Sequence, residues 1–385
     1  MTPASFIHRT PSSRVVFGSG SIAGLAAELA LLNIKRPMVL SGVRTGTSPM
    51  HAAVRAALTG MDCVWFSEVP AHSSVAVVEH LVAQAGGERV DGFLAVGGGS
   101  TSDTAKAVAL LLAEGGRLQD HATRFTPPDQ LHAPELHRPK LPIAAVPSTA
   151  SAAEVTPGLG VRTKAGAKLL FSDLQLAARL IVIDPAANVS VPVALMLSTG
   201  MNGLAHCLEG VYSRVRSPVS TALALHGAAL FFKALPAVAE APDDAACRGD
   251  LLAAAHLSGQ VLLNARTCLH HAVCHALGAS TGIAHGDANS VLLPEAIAFN
   301  ASAAQAELSE VARVCGLAAC PAALVDALRA LQQRLGVPTR LRDLGVRRDQ
   351  LSTVADLVMH ERGLYFNPRR VTHVGEIGQL LERVW

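Results

Sequence analysis

The chain has 385 residues, 50% of them hydrophobic and 16% charged, which is enough apolar material for a large core shared by two domains. Its 32 basic and 30 acidic residues give a net charge of +2 without a long run of like charge, so the charge pattern excludes a nucleic-acid-binding or anionic-membrane-binding class. We expect a cytoplasmic protein, because the first residues lack a signal-peptide pattern and no uninterrupted apolar run reaches the roughly 18 residues of a spanning helix.

The first half of the chain alternates between strand-like and helix-like segments. Short apolar runs occupy residues 38–40, 63–66, 93–96 and 143–146, and helical patterns lie between them near 21–31, 48–59, 75–85 and 101–114. This alternation predicts a parallel sheet with helices on both faces. A last strand, Leu180-Ile-Val-Ile, ends before Pro185. We predict that residues 114–140, rich in Pro, His and charge, form a surface excursion without regular elements.

The second half of the sequence predicts only helices. From about residue 190 the sequence is rich in Ala and Leu at helical spacing, and strand signals almost vanish. We therefore predict an α/β domain over residues 1–187 and an all-helical domain over 188–385. Prolines are expected to break the helices; these are Pro218, Pro236, Pro242, Pro294, Pro321 and Pro338.

Three polar turns in the first half of the chain are candidate ligand-binding loops. Val96-Gly-Gly-Gly-Ser100 leads into a helix, so its backbone can approach an anion while the free N–H groups of the helix start bind phosphate. Phe17–Ser21 is a second anion-friendly turn that opens the first helix, and Pro147–Ser151 is a third polar turn that follows the strand at 143–146. Loops at the carboxyl ends of parallel strands are where ligands bind in open sheets. Because the run is not G-x-G-x-x-G, the pattern alone leaves both a pyrophosphate cradle and an ordinary turn open.

Histidines with helical spacing indicate a second site. Asn202 and His206 are four residues apart, as are His271 and His275, so each pair lies on one helical face. With His285 from a later loop, two helices could hold a divalent metal between them. A neutral Asn202 is a poor ligand for such an ion because it brings no charge. The pattern therefore leaves open whether the site holds a metal, and each residue alone could be a core or surface group.

The seven cysteines include no C-x-x-C pair. An odd number without metal-binding spacing suits thiols in a reducing compartment better than a disulfide framework. Cys207 follows His206 and Cys274 precedes His275. We expect both to be small core residues rather than catalytic groups, because Cys is among the most buried residue types.

Motifs over nearly the whole chain resemble the iron-containing alcohol dehydrogenase superfamily, which includes relatives of dehydroquinate synthase and glycerol dehydrogenase. The matching residues occur in family order: Phe17-Gly-Ser-Gly, Gly97-Gly-Gly-Ser-x-x-Asp103-x-x-Lys106, the turn from Pro147 to Thr156, Ile183-Asp-Pro, Ser198-Thr-Gly-x-Asn-x-x-x-His206, His271-x-x-x-His275-x-Leu-Gly, His285-Gly and Asn289-x-x-Leu-Leu-Pro294. The resemblance implies a Rossmann-like N-terminal domain, a helical C-terminal domain and a nicotinamide cofactor, NAD(H) or NADP(H).

The resemblance also implies roles for individual residues. Gly97, Gly98, Gly99 and Ser100 would lie at the pyrophosphate. The remaining cofactor contacts implied by the family are Asp103 near the nicotinamide end, Ser148 and Thr149 at the ring and its ribose, and Lys168 near the ribose. In metal-using members an Asp and three His bind the ion; the matching positions here are Asn202, His206, His271 and His285, with His275 just outside.

Three departures resemble one branch, the maleylacetate reductases, which work without metal. Asn202 replaces the ligand Asp, the turn after Pro147 reaches Glu154 one residue early, and the run from Leu269 to His275 doubles the histidine. Other features, His285-Gly-Asp-Ala-Asn289 and the long 114–140 segment, resemble ordinary alcohol dehydrogenases. We expect a reductase acting on an enone or keto acid. The alternatives are an Fe- or Zn-dependent alcohol dehydrogenase and a non-catalytic nucleotide-binding homologue.

Four further expectations concern cofactor, substrate and assembly. The second strand ends at Ser41-Gly42 without the carboxylate that would bind the adenosine ribose, so NADPH is not excluded and Arg44 could meet its phosphate. Arg266 could bind a substrate carboxylate or be an ordinary surface or paired arginine. A histidine at 206, 271 or 285 is expected to donate a proton or hydrogen bond during the reaction. The family resemblance implies a homodimer acting on a small molecule.

Overall fold

The protein is described here by a computed structural model over residues 5–127, 130–164 and 166–385. A six-stranded, wholly parallel sheet in the order β1-β10-β7-β4-β2-β3 forms its centre. The four central strands are almost completely buried, as expected for a parallel sheet covered on both faces. The strands of this sheet are β1 (Arg14–Phe17), β2 (Pro37–Gly42), β3 (Val64–Val69), β4 (Gly92–Gly97), β7 (Ile143–Pro147) and β10 (Leu180–Ile183).

Helices alternate with these strands as the sequence predicts. Two of them begin with a serine cap, because Ser48 accepts a hydrogen bond from the backbone of His51 and Ser74 accepts one from Val77. A short 3-10 turn, Ser21–Gly24, precedes the first helix. The α-helices of this part are α1 (Leu25–Leu31), α2 (Val43–Gly46), α3 (Pro49–Ala57), α4 (Val75–Gly87) and α5 (Gly99–Glu114).

Three strand features were missed by the sequence reading. β1 is short and largely exposed, so it lacks the apolar pattern of the central strands. The prediction of an excursion without regular elements was wrong: residues 118–121 form a 3-10 helix, and β5 (Arg124–Thr126) pairs with β6 (Gln130–His132). Pro128 and Asp129 of that segment lie outside the described residues. A second hairpin joins β8 (Gly158–Arg162) to β9 (Lys168–Ser172).

From Pro185 onwards every regular element is a helix, as predicted. Two of the expected breaks were wrong, because Pro236 and Pro294 lie inside α8 and α11. Both prolines are buried, so packing holds the helix together despite the missing N–H. The helices are α6 (Pro185–Asn188), α7 (Val193–Tyr212), α8 (Pro218–Glu240), α9 (Ala245–Ala265), α10 (Leu269–Thr281), α11 (His285–Asn300), α12 (Gln305–Val314), α13 (Pro321–Leu335), α14 (Leu351–Val358), α15 (Gly363–Phe366) and α16 (Val374–Val384).

One helix, α8, is long and apolar enough by length and composition to cross a membrane. It packs against α7, α9, α12 and α13, and Phe231 and Leu235 on it are fully buried. A buried core helix passes the same length test as a membrane span. The packing identifies α8 as a helix of the hydrophobic core.

The fold is therefore α/β followed by all-α, as the sequence predicts. One hydrophobic core runs from the sheet into α7, α8 and α9, and a second core lies among α10, α11, α14 and α16. The domain boundary near residue 187 stays a prediction, because the first core continues across it. All seven cysteines are free, and Cys207 and Cys274 are buried, which confirms them as core residues.

Candidate active site

The glycine-rich turn after β4 forms a cradle at the start of α5. Gly97 has φ 151°, and a Cβ there would lie 2.7 Å from Thr101 Oγ1. A Cβ on Gly98 would lie 3.1 Å from Thr149 Cγ2. Gly98 caps α5, whose first N–H groups have no partner within the helix. Backbone and helix dipole thus favour an anion in a space that side chains would fill.

The turn after β7 adjoins this cradle. Ser148 N–H donates to Gly97 O at 2.9 Å, and Thr149 Oγ1 bonds to Ser151 Oγ at 3.1 Å. The backbone N–H of Ala150 donates to Thr199 Oγ1 on α7 at 3.1 Å. The structure therefore brings the carboxyl ends of β4 and β7 to the beginning of α7. This is the sheet edge where open α/β folds bind ligands.

Two further cradle residues hold neighbouring segments in place. Ser100 Oγ donates a hydrogen bond to Ala71 O. Asp103 Oδ2 accepts one from the backbone N–H of Gly160 in β8 at 3.0 Å, while burial raises the pKa of this carboxyl. In this structure Asp103 fixes the β8–β9 hairpin over the cradle. Its contact with a cofactor stays a prediction.

Lys106 has a role that the sequence did not reveal. Its side chain is fully buried, and Nζ donates to the carbonyl oxygens of Ala153 at 2.5 Å, Thr156 at 2.7 Å and Gly158 at 3.0 Å. Burial lowers the pKa of this ammonium group. Lys106 thereby fixes the backbone between the Ser148–Thr149 turn and the β8–β9 hairpin.

Lys168, on β9, connects the hairpin with the histidines. Its side chain lies over Gly160, where an added Cβ would collide with Lys168 Cε. Its positive charge contributes to lowering the pKa of His271 and of His285, after the larger effect of burial. The hairpin therefore places a cation at the cleft between the sheet and the helices.

Ser41 and Arg44 lie at the opposite side of the cradle. Ser41 pairs with Val96 between β2 and β4. It is fully buried, and its Oγ has no hydrogen-bond partner in the described part of the chain. Arg44 follows in α2 with an exposed side chain. No carboxylate occupies the end of β2, as the sequence indicates.

The predicted histidines from α7, α10 and α11 lie together. The rings of His206 and His271 are stacked with centroids 4.7 Å apart. His285 stacks on His275 at 5.6 Å and lies 5.9 Å from His271. The four rings thus form one continuous cluster. It faces the cleft into which the β8–β9 hairpin projects.

His271 is held from both sides. Its Nε2 lies 3.1 Å from Asn202 Oδ1, and its Nδ1 lies 2.7 Å from Glu209 Oε2. Glu209 also accepts the backbone N–H of His270 at 2.8 Å, so its carboxylate caps the start of α10. This arrangement fixes the ring orientation of His271 and leaves its Nε2 on the side of Asn202.

Glu209 is the site residue that sequence reasoning missed most clearly. It lies three residues after His206 and seven after Asn202 on α7, hence on the same helical face. That spacing could have identified it. Glu361, in contrast, lies 3.3 Å from His275 Nδ1 but 86 residues away in sequence, and no local pattern signals such a contact.

Burial makes the histidines weak bases. Desolvation lowers the pKa of His206 and of His271 well below the ordinary value, and neighbouring imidazoles add to the effect. His285 is accessible from the cleft, yet the surrounding protein also lowers its pKa strongly. Burial raises the pKa of the Glu209 carboxyl. At neutral pH His206, His271 and His285 are therefore neutral imidazoles that can donate or accept hydrogen bonds.

The donor set of this cluster does not fit a divalent metal well. Around His206, His271 and His285 the fourth group is the neutral amide of Asn202, which is already 3.1 Å from the His271 Nε2 that a metal would need. Among the described residues, metal-type ligand atoms converge only in the set Glu209, His270 and His271. Those atoms are engaged with one another and with the start of α10.

The cradle, in contrast, fits a nicotinamide dinucleotide. The pyrophosphate requires backbone N–H groups without side chains over them, which Gly97, Gly98 and the start of α5 provide. The turn at Ser148 and Thr149 lies between this cradle and the histidines. A dinucleotide along this edge would reach from the β2 end to the cluster.

Comparisons with known proteins agree with this geometry. Residues 11–185 match the family profile described as iron-containing alcohol dehydrogenase, and residues 196–385 match its C-terminal counterpart. A maleylacetate reductase of Pseudomonas knackmussii is 31% identical over 95% of this chain and 94% of its own length. The corresponding reductase of Sphingobium indicum is 32% identical over 98% of this chain and 97% of its own.

Solved structures show the same relationship. The maleylacetate reductase of Agrobacterium tumefaciens has a TM-score of 0.83 at 30% identity and covers 100% of this chain and 99% of its own. A 1,3-propanediol oxidoreductase has a TM-score of 0.91 at 26% identity over 99% of this chain and 100% of its own. The chain therefore belongs to the iron-containing alcohol dehydrogenase family, in which it resembles the maleylacetate reductases, and it is an NAD(P)-dependent oxidoreductase.

Proposed function

We propose that this protein uses NADH or NADPH to reduce a carbon–carbon double bond conjugated to the ketone of a keto acid, as the name maleylacetate reductase describes for its relatives. The observation that carries the proposal is the contact between Asn202 and His271 Nε2 at 3.1 Å. A neutral amide occupies the position where metal-using members have a carboxylate. The site is therefore built for hydrogen bonding by imidazoles without an ion.

A nicotinamide held by the cradle at Gly97–Ser100 would supply the hydride that adds to one carbon of the double bond. The chain then has to stabilise the enolate oxygen that develops on the ketone and return a proton to the neighbouring carbon. His206 and His285 are neutral N–H donors in a partly desolvated cleft, where such donors act strongly, and His271 can donate its Nε2–H to the enolate oxygen in exchange for Asn202 Oδ1. Lys168 adds a positive charge on the same side.

The proton can enter through His275. This ring is partly exposed and contacts Glu361 at 3.3 Å, so it connects the cluster with solvent. Its stacking on His285 continues the path towards the cleft. Glu209 has a separate task, because it fixes the orientation of His271 and is fully buried.

A metal-dependent alcohol dehydrogenase, using Fe or Zn on an alcohol or aldehyde, is the second candidate. One observation favours it: His206 Nδ1 is buried without a hydrogen-bond partner in the described residues. A nitrogen in that state could serve as a ligand. The charge argument at position 202 makes this candidate weaker.

The cofactor proposal includes both nicotinamide dinucleotides. A carboxylate after β2 would bind the adenosine ribose of NAD and repel the phosphate of NADP, and Ser41 stands there instead. Arg44, exposed in the next turn, can pair with that phosphate. We propose that NADPH is accepted alongside NADH.

We also propose a cytoplasmic homodimer acting on a small molecule. The edge strand β1 presents the exposed apolar side chains of Val15 and Phe17. Exposed edges of this kind are usually covered by a partner, and a second copy would cover both equivalent edges.

The test is turnover of 4-oxohex-2-enedioate, followed as oxidation of NADH or NADPH, in protein treated with a chelator and analysed for metal by mass spectrometry. We expect reduction to continue in metal-free protein, with little activity towards simple alcohols and aldehydes. Activity that disappears with the metal and returns with Fe or Zn would establish the second candidate instead.

A further inference from the structure

An unusual arginine precedes the histidine helix. Arg266 ends α9 with φ 64°, a backbone conformation that side chains other than glycine rarely adopt. Its side chain is partly buried, and no carboxylate within the described ranges lies at ion-pair distance. Strained, desolvated cations without partners are costly and concentrate at functional sites.

A second arginine lies beside the same helix. Arg362 directly follows Glu361, which contacts His275. It directly precedes Gly363, whose added Cβ would lie 2.5 Å from Cys268 O at the start of α10. The guanidinium is over the ring of Phe366 at 5.1 Å. Arg362, too, has no carboxylate partner in the part of the chain that the structure describes.

A third arginine is brought to this place by Asn264. The backbone N–H of Arg9 donates to Asn264 Oδ1 at 2.6 Å, and Asn264 Nδ2 donates to Arg9 O at 3.1 Å. Asn264 is two residues before Arg266 on the chain. The side chain of Arg9 is exposed, so the three arginines, named here the arginine cluster, are open to solvent on one side.

The guanidinium groups of Arg362 and Arg9 are close enough to Arg266 to affect its charge. Burial first, and then the charges of Arg362 and Arg9, together lower the pKa of Arg266 to about 10. Several other arginines, including Arg14, Arg36 and Arg348, pair with carboxylates instead. A desolvated group of like charges beside a reaction site is stabilised by an anionic ligand.

We propose that the arginine cluster of Arg9, Arg266 and Arg362 binds the carboxylate of the substrate that is remote from the reduced double bond, and so selects keto dicarboxylates. The cluster flanks the first turn of α10, which carries His271. Its member Arg362 directly follows Glu361, which contacts His275. Arginine suits this task because its planar fork binds a carboxylate through two hydrogen bonds. The inference rests on the proposed reduction of keto acids.

The test compares two substrates and three variants. The substrates are 4-oxohex-2-enedioate and 4-oxopent-2-enoate, which lacks the remote carboxylate. Arg266→Gly removes one guanidinium and suits φ 64°, so this variant should fold at least as well as the parent. Arg362→Gln removes the second. Arg89→Gly is the control, because Arg89 is also at positive φ, 52°, but is exposed and lies after α4.

We expect both cluster variants to raise KM for the dicarboxylate by about 10- to 100-fold, the scale of a lost charged hydrogen bond. KM for 4-oxopent-2-enoate, kcat for either substrate and the Arg89→Gly enzyme should change little. Parent-like KM for the dicarboxylate in both folded cluster variants would overturn the proposal. So would an equal rise in KM for the two substrates.

Failure of the proposed reaction can be distinguished from failure of the arginine cluster to bind the carboxylate. If the parent reduces neither compound, calorimetric titration with 4-oxohex-2-enedioate still measures binding. Binding that weakens about 10-fold or more in Arg266→Gly, but not in Arg89→Gly, would support the arginine cluster while refuting the reaction. Binding that is absent, or equal in all variants, would refute the cluster as well.

Discussion

The amide at position 202 determines what the neighbouring imidazoles can do. Its oxygen lies 3.1 Å from His271 Nε2, while Glu209 holds Nδ1 on the other side of the ring. A carboxylate in place of Asn202 would put a negative charge beside three histidines and attract a cation. The amide adds no charge beside these histidines, so they interact with Asn202 through hydrogen bonding.

The cradle gives a prediction at the residue scale. Gly98→Val should weaken nicotinamide cofactor binding at least about 10-fold, because its Cβ would lie 3.1 Å from Thr149 Cγ2 and its γ-carbons would enter the anion space. Gly87→Val is the matched control, since a Cβ there meets nothing within 4 Å. Fluorescence titration with NADH and NADPH measures both variants. Unchanged affinity in folded Gly98→Val would remove this turn from the cofactor site.

Much of the candidate site could be read from single residues. The sequence predicted that the four histidines lie together, because the pairs 202/206 and 271/275 have helical spacing and the family order is retained. The rings of His206, His271, His275 and His285 do lie together. The same argument from helical spacing applies to Glu209, which was missed. The contact of Glu361 with His275 could not be predicted, because it joins distant segments.

At the scale of elements, the β8–β9 hairpin contributes Lys168 to the cleft. Asp103 accepts a hydrogen bond from Gly160 N–H in the hairpin, and Lys106 donates one to the carbonyl oxygen of its first residue, Gly158. The hairpin carries Lys168 towards the histidines. The sequence reading assigned no element here, because two five-residue strands in a polar, glycine-containing stretch give little periodic signal.

Prolines illustrate the limit of local rules in a different way. Pro218 and Pro321 begin helices, where their missing N–H has no cost. Pro236 and Pro294 stand inside helices that continue through them. Tertiary packing decides between these outcomes, and the local sequence carries no information about that packing.

Glu154, which precedes the β8–β9 hairpin, gives a prediction about how the free energy of unfolding depends on pH. Burial raises the pKa of the Glu154 carboxyl to about 7, from 4.5. The native chain therefore binds the proton more tightly than the unfolded chain, so this contribution to stability is complete below pH 4.5 and lost as pH rises through about 7. The difference corresponds to roughly 3 kcal/mol.

Glu154→Gln keeps the uncharged form at every pH. Its free energy of unfolding should fall less than that of the parent between about pH 4.5 and 8. Urea denaturation at several pH values measures the difference, with the exposed Glu79→Gln as control. Parallel pH profiles for the parent and Glu154→Gln would mean that the carboxyl ionises without penalty.

Over the whole molecule, the two parts of the candidate site lie on different layers of the fold, the sheet edge and the helices. The sheet edge provides the cradle at Gly97–Ser100, and α7, α10 and α11 provide the histidines. Ala150 N–H to Thr199 Oγ1, at 3.1 Å, is a direct link between the two. Because the groups proposed to bind the cofactor and those proposed to handle protons lie on separate elements, their effects should be separable by mutation.

His271→Ala tests this separation. Loss of the N–H that stabilises the enolate should lower turnover roughly 100-fold or more, while affinity for NADH stays near the parental value because the cradle is untouched. His256→Ala on α9 removes a histidine outside the cluster and should keep parental turnover. Circular dichroism and melting curves establish that both variants fold.

Two results would contradict the division between cradle and histidines. Near-parental turnover in His271→Ala would show that the Asn202–His271–Glu209 arrangement has no part in the chemistry. A large loss of NADH affinity would show instead that α10 shapes the nucleotide site, since truncating His271 also leaves Glu209 buried without its partner. Glu209→Gln separates the two causes: it retains the imidazole and replaces the carboxyl group beside its Nδ1 by a neutral amide, so turnover should fall less than in His271→Ala if His271 itself contacts the substrate.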